Sequence, residues 1–140
     1  MVQDTISLIS RIRENANKFI CQELEKNGIT GIVPSHGDIM AVLFKSHKCT
    51  MKELAANIRR TKATLTVLVD KLEKIGYVKR EKSSQDSRVT YITMTKKGLD
   101  LKPVFEDISQ KLNNLVFTDV SEKEGETLHK ILEKINKNLE

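Results

Sequence analysis

The chain of 140 residues has no tryptophan, and aromatic residues of all kinds make up 4% of it. Its core therefore has to be aliphatic, built from Leu, Ile and Val. Two cysteines cannot form a disulfide framework, which fits a reducing, cytoplasmic setting. Long apolar runs are also missing. The longest, Ile39-Met40-Ala41-Val42-Leu43-Phe44, has six residues, far short of the roughly 20 that cross a bilayer. Met1-Val2-Gln3-Asp4 does not open a basic region followed by an apolar core, so no secretory signal is expected. No Gly-rich phosphate loop, G-x-S-x-G or H-E-x-x-H motif occurs, so neither an enzyme nor a cofactor is expected. His47-Lys48-Cys49 is not a standard metal-ligand spacing and His129 stands alone, so no metal site is expected either. What remains, at 39% hydrophobic and 31% charged, is a folded chain of one domain's length rather than a disordered or membrane protein.

The net charge of +5 is unevenly placed. Residues 1–33 are neutral, residues 34–98 carry fourteen cations against six anions, and residues 99–140 carry six against nine. A basic middle between neutral and acidic arms points to a module that faces a polyanion.

The hydropathy pattern predicts a mainly α-helical chain with one short excursion into strands. Residues 4–27 have helical spacing through Ile9, Ile12, Ala16, Phe19, Ile20 and Leu24, and Gly28 ends the run. Ser35 followed by Asp38 reads as a capping box that opens a second helix, Thr50 followed by Glu53 opens a third, and Ser121 followed by Glu124 opens the last. Thr61 is a good N-cap for a helix with the stripe Leu65, Leu68, Val69 and Leu72, closed by Gly76. The period then changes. Residues 77–82 and 88–94, joined by the polar cluster 83–87, predict a two-stranded hairpin. Beyond Gly98, two further helices carry long aliphatic stripes, with Pro103 early in the first.

The helix opened by Thr61 has the composition of a major-groove reader. Lys62, Ala63, Thr64, Thr66 and Val67 are small, uncharged or basic, and no acid occurs before Asp70. Small side chains let a helix approach base edges, hydroxyls can donate or accept, and a threonine methyl can touch a thymine methyl. The hairpin adds Lys79, Arg80, Lys82 and Arg88, cations that a projecting tip would bring to phosphate or into the minor groove. Asp86, two residues before Arg88, is placed to orient that guanidinium.

In this order and spacing, Thr50–Ala55, the run from Thr61 to Val78, Asp86-Ser87-Arg88 and residues 93–98 resemble the MarR family of bacterial transcriptional regulators over nearly the whole chain. The resemblance includes the family's D-x-R wing motif. It implies a winged helix-turn-helix core at 34–98, with dimerisation helices at 1–33 and 99–140. It further implies a homodimer that represses from a pseudo-palindromic double-stranded DNA operator and is released by a small molecule. Arg59 stands where a glycine is frequent in the family, Arg60 where an apolar residue is usual, and Val67 where many relatives have arginine. The expected DNA-binding set is Arg59, Arg60, Thr61, Lys62, Ala63, Thr64, Thr66, Val67, Lys79, Arg80, Lys82, Asp86 and Arg88. His36, at a helix start, is a candidate effector-binding residue. Two alternatives stay open: a winged-helix module that binds protein, and a redox sensor acting through Cys21 on the first helix.

Overall fold

Gly28, at φ 72°, takes the left-handed turn that stops the first helix, α1 (Val2–Lys26), and returns the chain to the core. The computed structural model describes the backbone from Val2 to Glu140 and the side chains from Asp4 onward. Its well-connected parts form two units, residues 1–108 and 109–140.

In the first unit the C-terminal half of α1 is anchored by Leu24, while Ile6, Leu8, Ile9 and Ile12 on its N-terminal half lie exposed. Helix α2 (Pro34–Ser46) starts two residues earlier than expected, with Val33 rather than Ser35 as its N-cap. Pro34 takes the first helical position, where a missing N–H is no loss. The partner three residues past the N-cap is His36 rather than Asp38, and its Nδ1 accepts the Val33 N–H at 2.9 Å.

A short strand, β1 (Lys48–Thr50), leads into α3 (Met51–Ile58). The expected Thr50–Glu53 box is formed, with bonds of 3.1 and 3.2 Å. Helix α4 (Lys62–Ile75) follows, capped by Thr61 at 3.2 Å and closed by Gly76 at φ 96°. Strands β2 (Val78–Lys82) and β3 (Thr90–Met94) form the expected hairpin, in register from Val78 opposite Met94 to Lys82 opposite Thr90. The sheet nevertheless has three strands, in the order β1-β3-β2, with Cys49 opposite Ile92. The expectation of two strands is corrected here: β1 is three residues long and has no alternation to read, and it is a strand only because β3 lies beside it.

Ile39, Met40, Leu43, Leu54, Leu65, Val69, Leu72 and Ile92 are fully buried and form the core between α2, α3, α4 and the sheet. Phe44 meets Phe105 edge to face at 5.6 Å. The turn α5 (Lys96–Leu99) holds Gly98 so close to the wing root that an added Cβ would lie 2.2 Å from the Tyr77 carbonyl oxygen. Helix α6 (Lys102–Val116) adds buried Ile108 to this core.

The second unit comprises the rest of α6 and α7 (Glu122–Asn138), with the expected Ser121–Glu124 box formed at 3.1 and 3.0 Å. Leu115, Val116, Phe117, Val120, Leu128, Ile131, Leu132 and Leu139 remain exposed in this single chain.

Candidate nucleic-acid interface

Packing of Leu65, Val69 and Leu72 into the core fixes which side of α4 faces outward. Lys62, Ala63, Val67, Asp70 and Lys74 are exposed there, and Thr66 is half-buried. Val67 is 69% exposed, unusual in a helix whose other large aliphatic residues are buried or half-buried. The threonine hydroxyls are engaged locally. Thr61 accepts the Thr64 N–H and donates to the Thr64 hydroxyl at 3.0 Å, and Thr66 donates to the Lys62 carbonyl at 2.8 Å. The first turn of α4 thus presents backbone N–H groups, the positive end of the helix dipole and small side chains.

Just before α4, Arg59 ends α3 in the left-handed conformation at φ 53°. The neighbouring Arg60 is half-buried and acts on Asp38. Burial pushes the Asp38 carboxyl above the usual aspartate range, and the charges of Arg60 and Arg13 pull it back.

The wing tip is ordered by its own side chains. The Ser83 hydroxyl accepts the N–H groups of Gln85 and Asp86, and the Val89 N–H donates to the Asp86 carbonyl at 3.0 Å. Asp86 then accepts three bonds from Arg88: its backbone N–H at 3.0 Å, Nε at 3.1 Å and a terminal nitrogen at 3.2 Å. These bonds hold the Asp86 carboxyl below the usual aspartate range. The Arg88 side chain is 89% exposed, so the guanidinium is held in one pose by a two-pronged carboxylate and still faces solvent. Lys79 and Lys82 are exposed along β2.

Arg80 is placed differently from the other wing cations. One terminal nitrogen donates to Asp70 at 2.6 Å and the other to Glu73 at 2.5 Å, both on α4. The bond to Asp70 raises the pKa of the guanidinium further above its ordinary value. The wing root has two more ties to the C-terminal end of α4. The Thr95 hydroxyl donates to the Gly76 carbonyl at 2.5 Å, and Lys97 Nζ donates to the Ile75 carbonyl at 2.8 Å while lying 5.2 Å from the Tyr77 ring. A lysine on the last carbonyls also meets the negative end of the helix dipole. The sequence pattern groups Arg80 with the other hairpin cations and does not single out Thr95 or Lys97. The available signal was the Asp70–Glu73 pair, two acids three residues apart on the helix flank that the next strand approaches.

His36, expected as an effector contact, is buried with its Nδ1 occupied by the Val33 N–H. Burial and the nearby Lys71 charge push its pKa down, against the Val33 bond. Cys21 is half-buried on α1, and Cys49 is buried with its sulfur 3.0 Å from the Ser46 hydroxyl. Among the described residues, no group of three or more His, Cys, Asp or Glu side chains could hold a metal ion. No helix of those residues is long and apolar enough to cross a membrane.

Residues 32–90, the span from the entry to α2 through the wing tip, match the model of the MarR family. This segment is a MarR-family domain. Among relatives of the chain, BilQ of Clostridium symbiosum is 28% identical over 130 residues, covering 91% of this chain and 87% of that protein. SarZ of Staphylococcus haemolyticus is 34% identical over 92 residues, covering 64% of this chain and 60% of that protein. Both are named HTH-type transcriptional regulators. The chain thus spans most of the length of one relative and about three-fifths of the other. In fold, it matches a DNA complex of S. aureus MepR with a TM-score of 0.85 at 24% identity, over 94% of this chain and 96% of that one. Reduced AbfR bound to DNA matches with a TM-score of 0.77 at 21% identity, over 99% and 96%. The mainly helical chain with its small antiparallel sheet is thus a MarR-type winged helix.

Proposed function

We propose that this chain is a transcriptional regulator, a repressor, that binds a pseudo-palindromic double-stranded DNA operator as a homodimer in the cytoplasm. The observation that carries this reading is the pairing of two exposed elements on the basic segment: the small-residue face of α4 and a wing tip whose Arg88 is held outward by Asp86. The first has the dimensions and chemistry of a major-groove helix, and the second those of a minor-groove finger. The DNA complexes of MepR and AbfR support it by fold.

Thr61, Lys62, Ala63, Thr64, Thr66 and Val67 then form the reading head. Arg59, Arg60, Lys79 and Lys82 supply phosphate contacts, Arg88 enters the minor groove, and Asp86 orients it. The exposed aliphatic side chains of α1 in the first unit and of α7 in the second are the surfaces that a second copy would cover. Release by a small molecule would act by favouring one spacing of the two reading heads.

The test is selection of duplexes from a random pool, followed by binding measured against salt concentration. The reading predicts enrichment of a site with two related halves about one helical turn apart. It also predicts a linear fall of log K with log salt. Failure to enrich any duplex, with only weak and uniform DNA retention, would overturn it.

A further inference from the structure

Ala63, Thr66, Val67 and Asp70 stand at i, i+3, i+4 and i+7 and therefore share one face of α4, the face turned away from the core. The first three of them have no hydrogen-bond donor free for a base edge. Thr66 spends its proton on the Lys62 carbonyl at 2.8 Å, which leaves it a methyl and a hydroxyl oxygen that can only accept. Asp70 is tied to Arg80 and thereby drawn towards the wing root. Ala63 offers a methyl, and Val67, at 69% exposure, offers two. Thr61 and Thr64, at the start of the helix, are bonded to each other. The middle of the reading face is thus a patch of methyl groups, with Lys62 as a cation at its first turn.

A major groove presents one apolar feature to such a patch, the 5-methyl group of thymine. Resting on the regulator reading above, we propose that Val67, flanked by Ala63 and the Thr66 methyl, is a specificity-determining residue that recognises thymine 5-methyl groups in each operator half-site. The helix reads by shape and apolar contact where an arginine at the same position would read guanine by paired hydrogen bonds. The consequence is an operator whose half-site carries thymines under the middle of α4, at positions where uracil is a poor substitute although it pairs identically with adenine.

The experiment uses the selected operator and replaces its thymines one position at a time by deoxyuridine, with binding measured for the full chain and for Val67→Ala. Val67 lies on the surface, so the variant keeps the fold, which its thermal melt verifies. Deoxyuridine at one or two positions per half-site is expected to weaken binding by about threefold per lost methyl, and by roughly tenfold when one methyl is lost from each half-site. Val67→Ala is expected to bind thymine and uracil duplexes about equally. The inference is overturned if the unaltered chain binds every uracil duplex as tightly as the thymine operator, or if Val67→Ala keeps the full discrimination. In both cases the regulator reading survives, since the operator is still bound. Absence of any selected duplex would instead overturn the regulator reading and this inference with it.

Discussion

Replacing Arg80 by glutamine separates two jobs that a wing cation can do. The side chain sits between Asp70 and Glu73 of α4, at 2.6 and 2.5 Å, with about a third of its surface exposed and its partners 60% and 42% exposed. Such solvent-screened pairs are worth about 0–1 kcal/mol each. The two-pronged geometry argues for the upper part of that range, so Arg80→Gln is expected to destabilise the fold by about 1 kcal/mol. For a chain of this size that lowers the melting temperature by about 4 °C. The substitution also uncovers two carboxylates on the helix proposed to face DNA, so affinity is expected to fall.

The number of counterions released on binding should not fall, because Arg80 is committed within the protein. A phosphate contact removed from each head would instead lower the slope of log K against log salt by about 0.9 per head. The assays are thermal unfolding and titration of the operator at several salt concentrations. They are run on Arg80→Gln, on Asp70→Asn/Glu73→Gln and on the triple variant, so that the coupling in stability can be read directly. A slope lower by about 2 per dimer, with an unchanged melting temperature and no coupling to the two acids, would refute the strut and return Arg80 to the DNA-contacting set.

Arg88→Ala should show the opposite pattern: an unchanged melting temperature, because the side chain is 89% exposed, but a lower salt slope and a loss of operator affinity of about tenfold per head. Gly98→Ala puts a Cβ 2.2 Å from the Tyr77 carbonyl, where backbone has to move. The expected cost of about 3 kcal/mol appears as a fall of roughly 10 °C in a thermal melt. The His36 pKa is lowered on folding from its ordinary value of 6.5, so the unfolded chain binds more protons in the interval below that value. The stability contribution is therefore full above pH 6.5 and is lost as pH falls through 6.5 towards the folded pKa. Melting temperatures measured from pH 8 to pH 5 should drop at the acid end, and His36→Gln should flatten that drop.

Most of the candidate interface was readable from the chain because its determinants are local. Thr61, Thr50 with Glu53 and Ser121 with Glu124 mark helix starts through bonds that span three residues. The stripe of Leu65, Val69 and Leu72 sets the outward face of α4 by helical period alone. Asp86 and Arg88 meet across a turn of two residues, so their pairing follows from proximity in sequence. The start of α2 was misplaced because an imidazole acceptor serves as well as a carboxylate there, and Pro34 claimed the first position.

By itself, the sequence determined the helix starts, the inward and outward faces, the basic middle and the wing tip, since each depends on residues a few positions apart. The tertiary structure alone decided three other features: that residues 48–50 become a strand, that Arg80 pairs with Asp70 and Glu73, and that Gly98 meets the Tyr77 carbonyl. Each joins segments seven to more than forty residues apart. Such contacts exist only once the hydrophobic core has fixed where the segments lie, and no local periodicity encodes that placement.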